Sequence, residues 1–263
     1  MNKYLQSNDN SDVIAIIPAA GKASRLPELN HSKEIFPVRW NPQTNQSLPD
    51  EKPVCFYLLE KFTQAGIRKG IMVIREEKWD IVKTVGSGAC VDMDIAYQML
   101  KLPHGTAYTI DQVYPFVKDN VVAIGFPDIL FSGKNSFSTI LNTLRGSDAD
   151  IVLGLFPADK PHKVDMVNID EQMNVTEIDI KPQSTALTLT WGIAVWKPEF
   201  TRLLHETLNN LVRKNSDPEL FIGDVIRVAI DQGLKVRAET VSKTPFLDIG
   251  TPDDLSKVTK TSS

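Results

Sequence analysis

Two cations near the start of the chain, Arg25 and Lys33, have neighbours that suit phosphate chemistry. An apolar run of strand length precedes them and ends in a turn of mostly small residues: Ala19, Ala20, Gly21, Lys22, Ala23 and Ser24. Because small side chains leave the backbone open, the N–H groups of such a turn can approach an anion closely. Arginine and lysine then add positive charge where a polyphosphate would lie. The stretch therefore predicts a cradle for a nucleoside triphosphate.

Asp128 is placed to take part in the same chemistry. It follows the all-apolar run 121–124, which is typical of a strand buried on both faces of a parallel sheet. In open α/β sheets, ligands collect beyond the carboxyl ends of strands, near the point where strand order reverses. The turn after Pro18 and Asp128 both fall at such ends. Asp128 could instead cap a helix, and Asp248 could shape a turn before Gly250.

Strand and helix patterns alternate along the part of the chain that must position these residues. Strand 13–18, a helix from 53 to 66 and strand 71–74 form a βαβ unit, which predicts a right-handed crossover in a parallel sheet. Between 164 and 180 the pattern changes to two short alternating strands, which predicts a small antiparallel lid on the substrate side. Further helices are predicted over 76–85, 105–117, 135–144, 198–213, 218–230 and from 252, and further strands over 93–100, 151–156, 188–196 and 236–240.

Composition excludes several classes of protein. With 263 residues and a formal net charge of −4, a general binder of nucleic acid or of acidic membranes is not expected. No apolar stretch reaches the ~18 residues of a membrane span, and no signal peptide is recognisable, so a cytoplasmic protein is expected. The two cysteines, Cys55 and Cys90, indicate neither a disulfide framework nor a zinc site. We expect a flexible tail over 1–12 and one domain over 13–263.

Five segments, in order along the chain, resemble the motifs of the sugar-1-phosphate nucleotidyltransferases, which are nucleotide-sugar pyrophosphorylases. The resemblance extends from residue 13 to about residue 255, and its segments are 19–26 with 32–38, then 104–107, 126–131, 191–195 and 246–252. Four features depart from the family pattern. Ala23 replaces the second glycine of the turn and Ser24 replaces its threonine. The loop from Arg25 to Lys33 is about two residues shorter, and Ile180 replaces a glutamate before Lys181 and Pro182.

The resemblance implies a fold and a set of roles. The fold is α/β, with a Rossmann-like, three-layer, mixed but mostly parallel sheet, helices on both faces, and the small lid. Arg25 would hold the β- and γ-phosphates, Lys33 the α-phosphate, and Asp128 with Asp248 a Mg²⁺ ion. The remaining implied contacts are with the nucleotide, through the turn residues 19–24 with Gly105 and Thr106, and with the acceptor, through Lys181 and Gly192.

The reaction implied is transfer of a nucleotidyl group from a nucleoside triphosphate to a sugar-1-phosphate, with release of pyrophosphate, as in glucose-1-phosphate thymidylyl- or uridylyltransferases. Two alternatives stay open. The acceptor could be another small phosphate, such as a phosphorylated alcohol, because Ile180 and the short loop depart from the sugar enzymes. The chain could also be a catalytically weakened nucleotide-sugar sensor, because Ala23 replaces a glycine. The base, the sugar and any homo-oligomer are left open.

Overall fold

The computed structural model describes residues 10–21, 30–40, 51–101, 104–213 and 219–259. Its strands are β1 (Val13–Pro18), β2 (Pro37–Val38), β3 (Lys52–Pro53), β4 (Lys69–Ile74), β5 (Asp94–Met99), β6 (Val121–Gly125), β7 (Ile129–Leu130), β8 (Ile151–Pro157), β9 (Met166–Ile169), β10 (Val175–Asp179), β11 (Leu189–Trp196), β12 (Val236–Thr240) and β13 (Leu247–Asp248). Its α-helices are α1 (Val54–Gln64), α2 (Trp79–Val85), α3 (Thr106–Asp111), α4 (Tyr114–Val117), α5 (Ser136–Gly146), α6 (Pro198–Arg213), α7 (Ile222–Asp231) and α8 (Pro252–Thr259). Single 3₁₀ turns lie at Lys33–Ile35, Glu76–Lys78, Ala89–Val91 and Pro161–Lys163.

A nine-stranded sheet forms the middle layer. Its main path runs β5-β4-β1-β6-β11-β8-β12, and only β11 on this path runs against its neighbours. The predicted βαβ unit is confirmed, because β1 and β4 pair in parallel with α1 between them in sequence. The predicted antiparallel pair β9–β10 also forms, and it continues the sheet through Leu189 and Thr190 at the start of β11. The mostly parallel, three-layer fold is therefore confirmed.

Each face of the sheet is covered by helices because the strands are apolar on both sides. Ile17 packs into a core with α1, α2 and α5, whereas its neighbour Ile16 packs on the other face with α3, α4, α6 and α7. On the first face, the rings of Phe62 in α1 and Phe137 in α5 have centroids 4.4 Å apart. Burial of such side chains contributes about 1.5–3 kcal/mol each, which holds the layers together.

Two short strand pairs were not predicted from the sequence. In β7–β13, Asp248 lies opposite Ile129, and in β2–β3, Val38 lies opposite Lys52. Both pairs border a third apolar cluster that includes Tyr57 and residues from α8. The β7–β13 pair matters for function, because it brings a distant segment of the chain beside Asp128.

Two predicted helices differ in the structure. The helix predicted over 105–117 is divided into α3 and α4, since Pro115 has no N–H with which to continue the hydrogen-bond ladder. The helix predicted from residue 218 begins at Ile222, because Leu220 is instead paired with the turn at residues 104–107.

The N-terminal segment is anchored as early as Asn10. Asn10 is buried, and its side-chain amide donates a hydrogen bond to the Ala65 carbonyl at 2.5 Å. The rest of the predicted tail, residues 1–9, lies outside the described residues. Within the described ranges, none of the helices combines the length and the apolar character needed to cross a membrane.

Candidate active site

An open cleft of about 680 Å³ lies at the carboxyl ends of β1, β4 and β6. The chain passes from β1 to β4 and β5 on one side and returns to β6 on the other, so the cleft lies where the strand order reverses. This is the position where open α/β sheets bind ligands. The cleft is lined by Pro18, Ala20, Gly21, Lys33, Glu34, Arg75, Leu100, His104, Gly105, Thr106, Thr109, Phe126, Asp128, Glu219 and Phe221.

Lys33 and Asp128 form an ion pair in the cleft, with side chains only 14% and 18% exposed. Burial by itself would lower the pKa of the Lys33 ammonium. The charge and the hydrogen bond of Asp128 outweigh burial, with smaller contributions from Asp248 and Glu34, so the pKa of Lys33 is raised. Lys33 is therefore a permanent cation next to the carboxylate with which it pairs.

Asp248 approaches the same centre from the C-terminal part of the chain. The β7–β13 pairing continues past Asp248, where the Ile249 N–H donates to the Asp128 carbonyl at 2.9 Å. Asp248 also lines a small pocket of its own, together with Thr190 and Gly250. Two carboxylates that approach one centre could serve as ligands of Mg²⁺, which in proteins usually takes one or two carboxylate oxygens and completes its shell with phosphate oxygens and water. Within the described ranges, no group of three or more His, Cys, Asp or Glu side chains converges in a way that could hold a metal ion, so a metal here would depend on two carboxylates and non-protein ligands.

The turn after β1 contributes to the cleft only in part. Ala20 and Gly21 line it, whereas Ala19 is fully buried and its N–H donates to the Val73 carbonyl at 2.8 Å. The N–H of Ala19 is thus used within the sheet and is not directed at a ligand. The other predicted turn residues and the predicted catalytic arginine lie outside the described residues; they are Lys22, Ala23, Ser24 and Arg25.

The turn at Gly105 and Thr106 forms another wall of the cleft. Gly105 has φ +101°, and a Cβ there would lie 2.4 Å from the Leu220 carbonyl oxygen. The turn is joined to the segment before α7, since the Ala107 N–H donates to that same carbonyl at 3.1 Å. The Thr106 hydroxyl accepts from the Ile222 N–H at 3.1 Å. Thr106 therefore also holds α7 against the cleft, a role that the motif alone did not indicate.

Replacement of Gly105 by alanine should destabilise the protein by about 2–4 kcal/mol, because positive φ and a backbone clash coincide. We expect a lower urea midpoint and a raised KM for the nucleotide. Gly146→Ala is a matched control, because a Cβ at Gly146 meets nothing within 4 Å. Equal midpoints for the two variants would contradict the prediction.

Lys181 lies near one end of the cleft, and Gly192 lies outside the cleft lining. The Lys181 ammonium is 3.4 Å from the ring centroid of Phe221, which lines the cleft, and its own backbone has φ +44°. A Cβ on Gly192 would lie 3.1 Å from Phe156 and 3.2 Å from Phe246. Gly192 is thus required for close packing of β11, whereas the Lys181 ammonium lies over the ring of Phe221.

Asp165 adds a titratable group near Lys181. Burial raises the pKa of Asp165 to about 6, with a further increase from Asp224, whereas Lys181 opposes the shift. A Cβ on Gly223, at the start of α7, would lie 2.4 Å from a carboxylate oxygen of Asp165. The region around Lys181 and the start of α7 thus contains a carboxylate that is costly to ionise.

The pKa of Asp165 is about 6 in the folded protein and near 4 in the unfolded chain. Below pH 4 the carboxyl is protonated in both states, so it does not lower the free energy of unfolding. Between pH 4 and pH 6 the free energy of unfolding falls as the buried group is forced to ionise, and above pH 6 this destabilisation is constant. Asp165→Asn should therefore increase the free energy of unfolding by about 1–3 kcal/mol at pH 8 and by less at pH 5, as measured by urea denaturation. Glu177→Gln removes an exposed carboxylate of β10 and should have little effect at either pH. A stabilisation by Asp165→Asn that does not depend on pH would be the opposing result.

Several cleft residues escaped sequence analysis. Arg75 follows β4 directly, so its place just past a strand end was a usable signal. Leu100 ends the predicted strand 93–100 and Glu34 lies in the motif segment 32–38, but neither residue was singled out, and Phe221 lies in a segment predicted to be helical. Glu34, Leu100 and Phe221 reach the cleft through tertiary packing, which local sequence patterns do not encode.

Comparison with known proteins identifies the class that this fold and cleft define. Residues 14–263 match the family described as nucleotidyl transferase. The chain belongs to the nucleotidyl transferase family, as its motifs predict.

Individual relatives are distant. A low-salt glycan biosynthesis nucleotidyltransferase from Haloferax volcanii is 22% identical over 91% of this chain, and a glucose-1-phosphate thymidylyltransferase from Streptomyces antibioticus is 23% identical over 94%. The chain spans less than two thirds of the length of these two, 63% and 65%. A D-glycero-alpha-D-manno-heptose 1-phosphate guanylyltransferase from Campylobacter jejuni is 23% identical, over 91% of this chain and 96% of the relative.

A solved structure has the same fold. It is a Bacillus anthracis protein, provisionally assigned as a glucose-1-phosphate thymidylyltransferase and crystallised with sucrose. The TM-score is 0.79 at 20% identity, and the match covers 94% of this chain and 93% of that one.

Proposed function

We propose that this protein is a Mg²⁺-dependent nucleotidyltransferase that joins a nucleoside triphosphate to a sugar-1-phosphate. The observation that carries the proposal is the meeting of the Lys33–Asp128 ion pair with Asp248 at the reversal point of the sheet. Family membership and the names of the relatives support this chemistry.

In the proposed reaction, an oxygen of the acceptor phosphate attacks the α-phosphorus. The bond from the α-phosphorus to the oxygen bridging it to the β-phosphate breaks, and pyrophosphate leaves. Phosphoryl transfer depends mainly on alignment and charge stabilisation. Ala20 and Gly21 would approach the phosphates with their backbone, and Lys33 would stabilise charge on the α-phosphate.

Asp128 and Asp248 would hold Mg²⁺, which supplies charge neutralisation of the phosphates when bound. Lys181 would bind the acceptor phosphate beside Phe221. The Lys33–Asp128 pair is then the resting arrangement, and Lys33 must turn from Asp128 towards the phosphate when substrates bind. Arg25 remains the proposed ligand of the leaving pyrophosphate, on the strength of the motif alone.

A second acceptor class is favoured by Ile180. Its side chain is directed at α7, since a Cβ on Gly223 would lie 2.7 Å from its Cδ1. An apolar residue there cannot accept a hydrogen bond from a hydroxyl, so another small phosphate with fewer hydroxyls to bind, such as a phosphorylated alcohol, is the runner-up.

The test is pyrophosphate release with Mg²⁺, crossing five nucleoside triphosphates with sugar-1-phosphates, polyol phosphates and other phosphorylated alcohols. Release with one pair, and its loss in Lys33→Ala, is expected. If no pair releases pyrophosphate while nucleotides still raise the melting temperature, the proposed transferase activity is rejected and a nucleotide-binding regulatory protein is favoured.

A further inference from the structure

The turn that carries Lys33 is bonded on both sides to the start of α2. The Asp80 carboxylate accepts hydrogen bonds from the Ser32 N–H at 2.6 Å and from the Ser32 hydroxyl at 2.7 Å. On the other side, the Lys78 ammonium donates to Glu34 Oε1 at 2.6 Å. The residues directly before and after Lys33 are thus each held by a charged group from one short stretch of α2 and its preceding turn.

The contacts on the Glu34 side are deeply buried. The Glu34 and Lys78 side chains are only 2% and 7% exposed. Burial raises the pKa of Glu34, although Lys78 opposes the shift. Separating the partners of a buried pair would leave an uncompensated charge in the interior, which is strongly unfavourable. The contact between Lys78 and Glu34 therefore fixes the position of Glu34.

The contact on the Ser32 side depends on the charge of Asp80. Partial burial would raise the pKa of Asp80, but the Ser32 N–H and hydroxyl, with the Ile81 N–H, outweigh burial and lower it. Asp80 is therefore an anion throughout the neutral range, and charged hydrogen bonds of this length are the stronger kind.

The turn itself is too short to hold Lys33 alone. The 3₁₀ turn Lys33–Ile35 closes with two backbone bonds of 3.1 Å, Ile35 N–H to the Ser32 carbonyl and Phe36 N–H to the Lys33 carbonyl. The hydrogen-bond geometry of a 3₁₀ turn is poorer than that of an α-helix, and such turns occur mostly as short connectors. External contacts must therefore set the direction in which the lysine points.

We infer that Asp80 and Lys78 are positioning residues, which fix the 33–35 turn so that the Lys33 ammonium reaches Asp128 and the phosphate beside it. The inference rests on the proposed function for the role of Lys33 in transfer. A displacement of about 1 Å at a reacting group can cost about 100-fold in rate, so loss of either contact should be visible in turnover.

The first test is a double-mutant cycle of Asp80→Asn with Lys33→Ala. Asp80→Asn should lower kcat by about 10- to 100-fold with little change in KM for the nucleotide. In the Lys33→Ala background, Asp80→Asn should not lower kcat further, because Asp80 affects the reaction only by positioning Lys33. Additive losses, or an unchanged kcat in Asp80→Asn, would overturn the inference.

A second readout does not depend on activity. The acetylation rate of Lys33, measured by peptide mass spectrometry against exposed Lys69, should rise severalfold in Asp80→Asn and Lys78→Met as the turn loosens. Asp150→Asn is the matched control, since the Asp150 carboxylate accepts the Lys235 N–H at 2.9 Å at the opposite edge of the sheet. Asp150→Asn should lower stability comparably and leave labelling and kcat unchanged.

The two readouts separate the inference from the proposed function. If the wild type releases no pyrophosphate with any substrate pair, the proposed function fails, and the labelling experiment still decides the positioning role. If turnover is present but Lys33 labelling is the same in Asp80→Asn, Lys78→Met and Asp150→Asn, the positioning role fails and the function stands.

Discussion

Lys33→Ala should lower kcat by about 10²- to 10⁴-fold while nucleotide binding persists. The ammonium is held in the cleft beside Asp128 and stays charged, so it is available wherever charge develops on the α-phosphate. Water that enters in its place cannot supply a fixed positive charge. Steady-state pyrophosphate release, with nucleotide binding measured by calorimetry, checks both parts of the prediction.

Two variants make the Lys33 result interpretable. Lys69→Ala removes an exposed lysine at the opposite end of β4 and should behave as wild type. Lys33→Met keeps the length of the side chain without its charge and should resemble Lys33→Ala. Turnover within tenfold of wild type in both Lys33 variants would exclude Lys33 from the chemical step.

Asp128→Asn should be the second most damaging change, with a loss of about 10²- to 10³-fold in kcat/KM. An amide cannot neutralise Mg²⁺, and it also leaves the Lys33 ammonium without its paired carboxylate. We therefore expect the Mg²⁺ concentration for half-maximal activity to rise, and Asp248→Asn to show the same shift. The measurement is a Mg²⁺ titration of activity, paired with calorimetric Mg²⁺ binding in the presence of nucleotide.

The control for this prediction is Asp231→Asn, which removes an exposed carboxylate at the end of α7. Its Mg²⁺ dependence should match that of the wild type. If Asp128→Asn loses kcat/KM but binds Mg²⁺ as tightly as the wild type, Asp128 acts only by orienting Lys33. Unchanged activity in both aspartate variants would reject the metal site.

Sequence patterns predicted the long elements well because their causes are local. Continuous apolar runs such as 121–124 can be satisfied only by burial on both faces, which indicates a central parallel strand. The two-residue strands β7 and β13 have no measurable period, so no pattern could have revealed them. Pro115 indicates the break between α3 and α4, but the residues around it favour a helix, so the prediction of one helix over 105–117 was wrong.

The candidate site likewise has features that follow from local sequence and features that depend on tertiary packing. By itself, the sequence determined the family to which the chain belongs. It also predicted the class of site, in which a strand and a small-residue turn are combined with Lys33 and the strand-end carboxylates Asp128 and Asp248. Three contacts were decided only by the tertiary structure. Lys33 pairs with Asp128, the Ala19 N–H donates to the Val73 carbonyl, and the Ser32 N–H donates to the Asp80 carboxylate. These contacts join residues 95, 54 and 48 positions apart in the chain, and such distances close only when the sheet assembles.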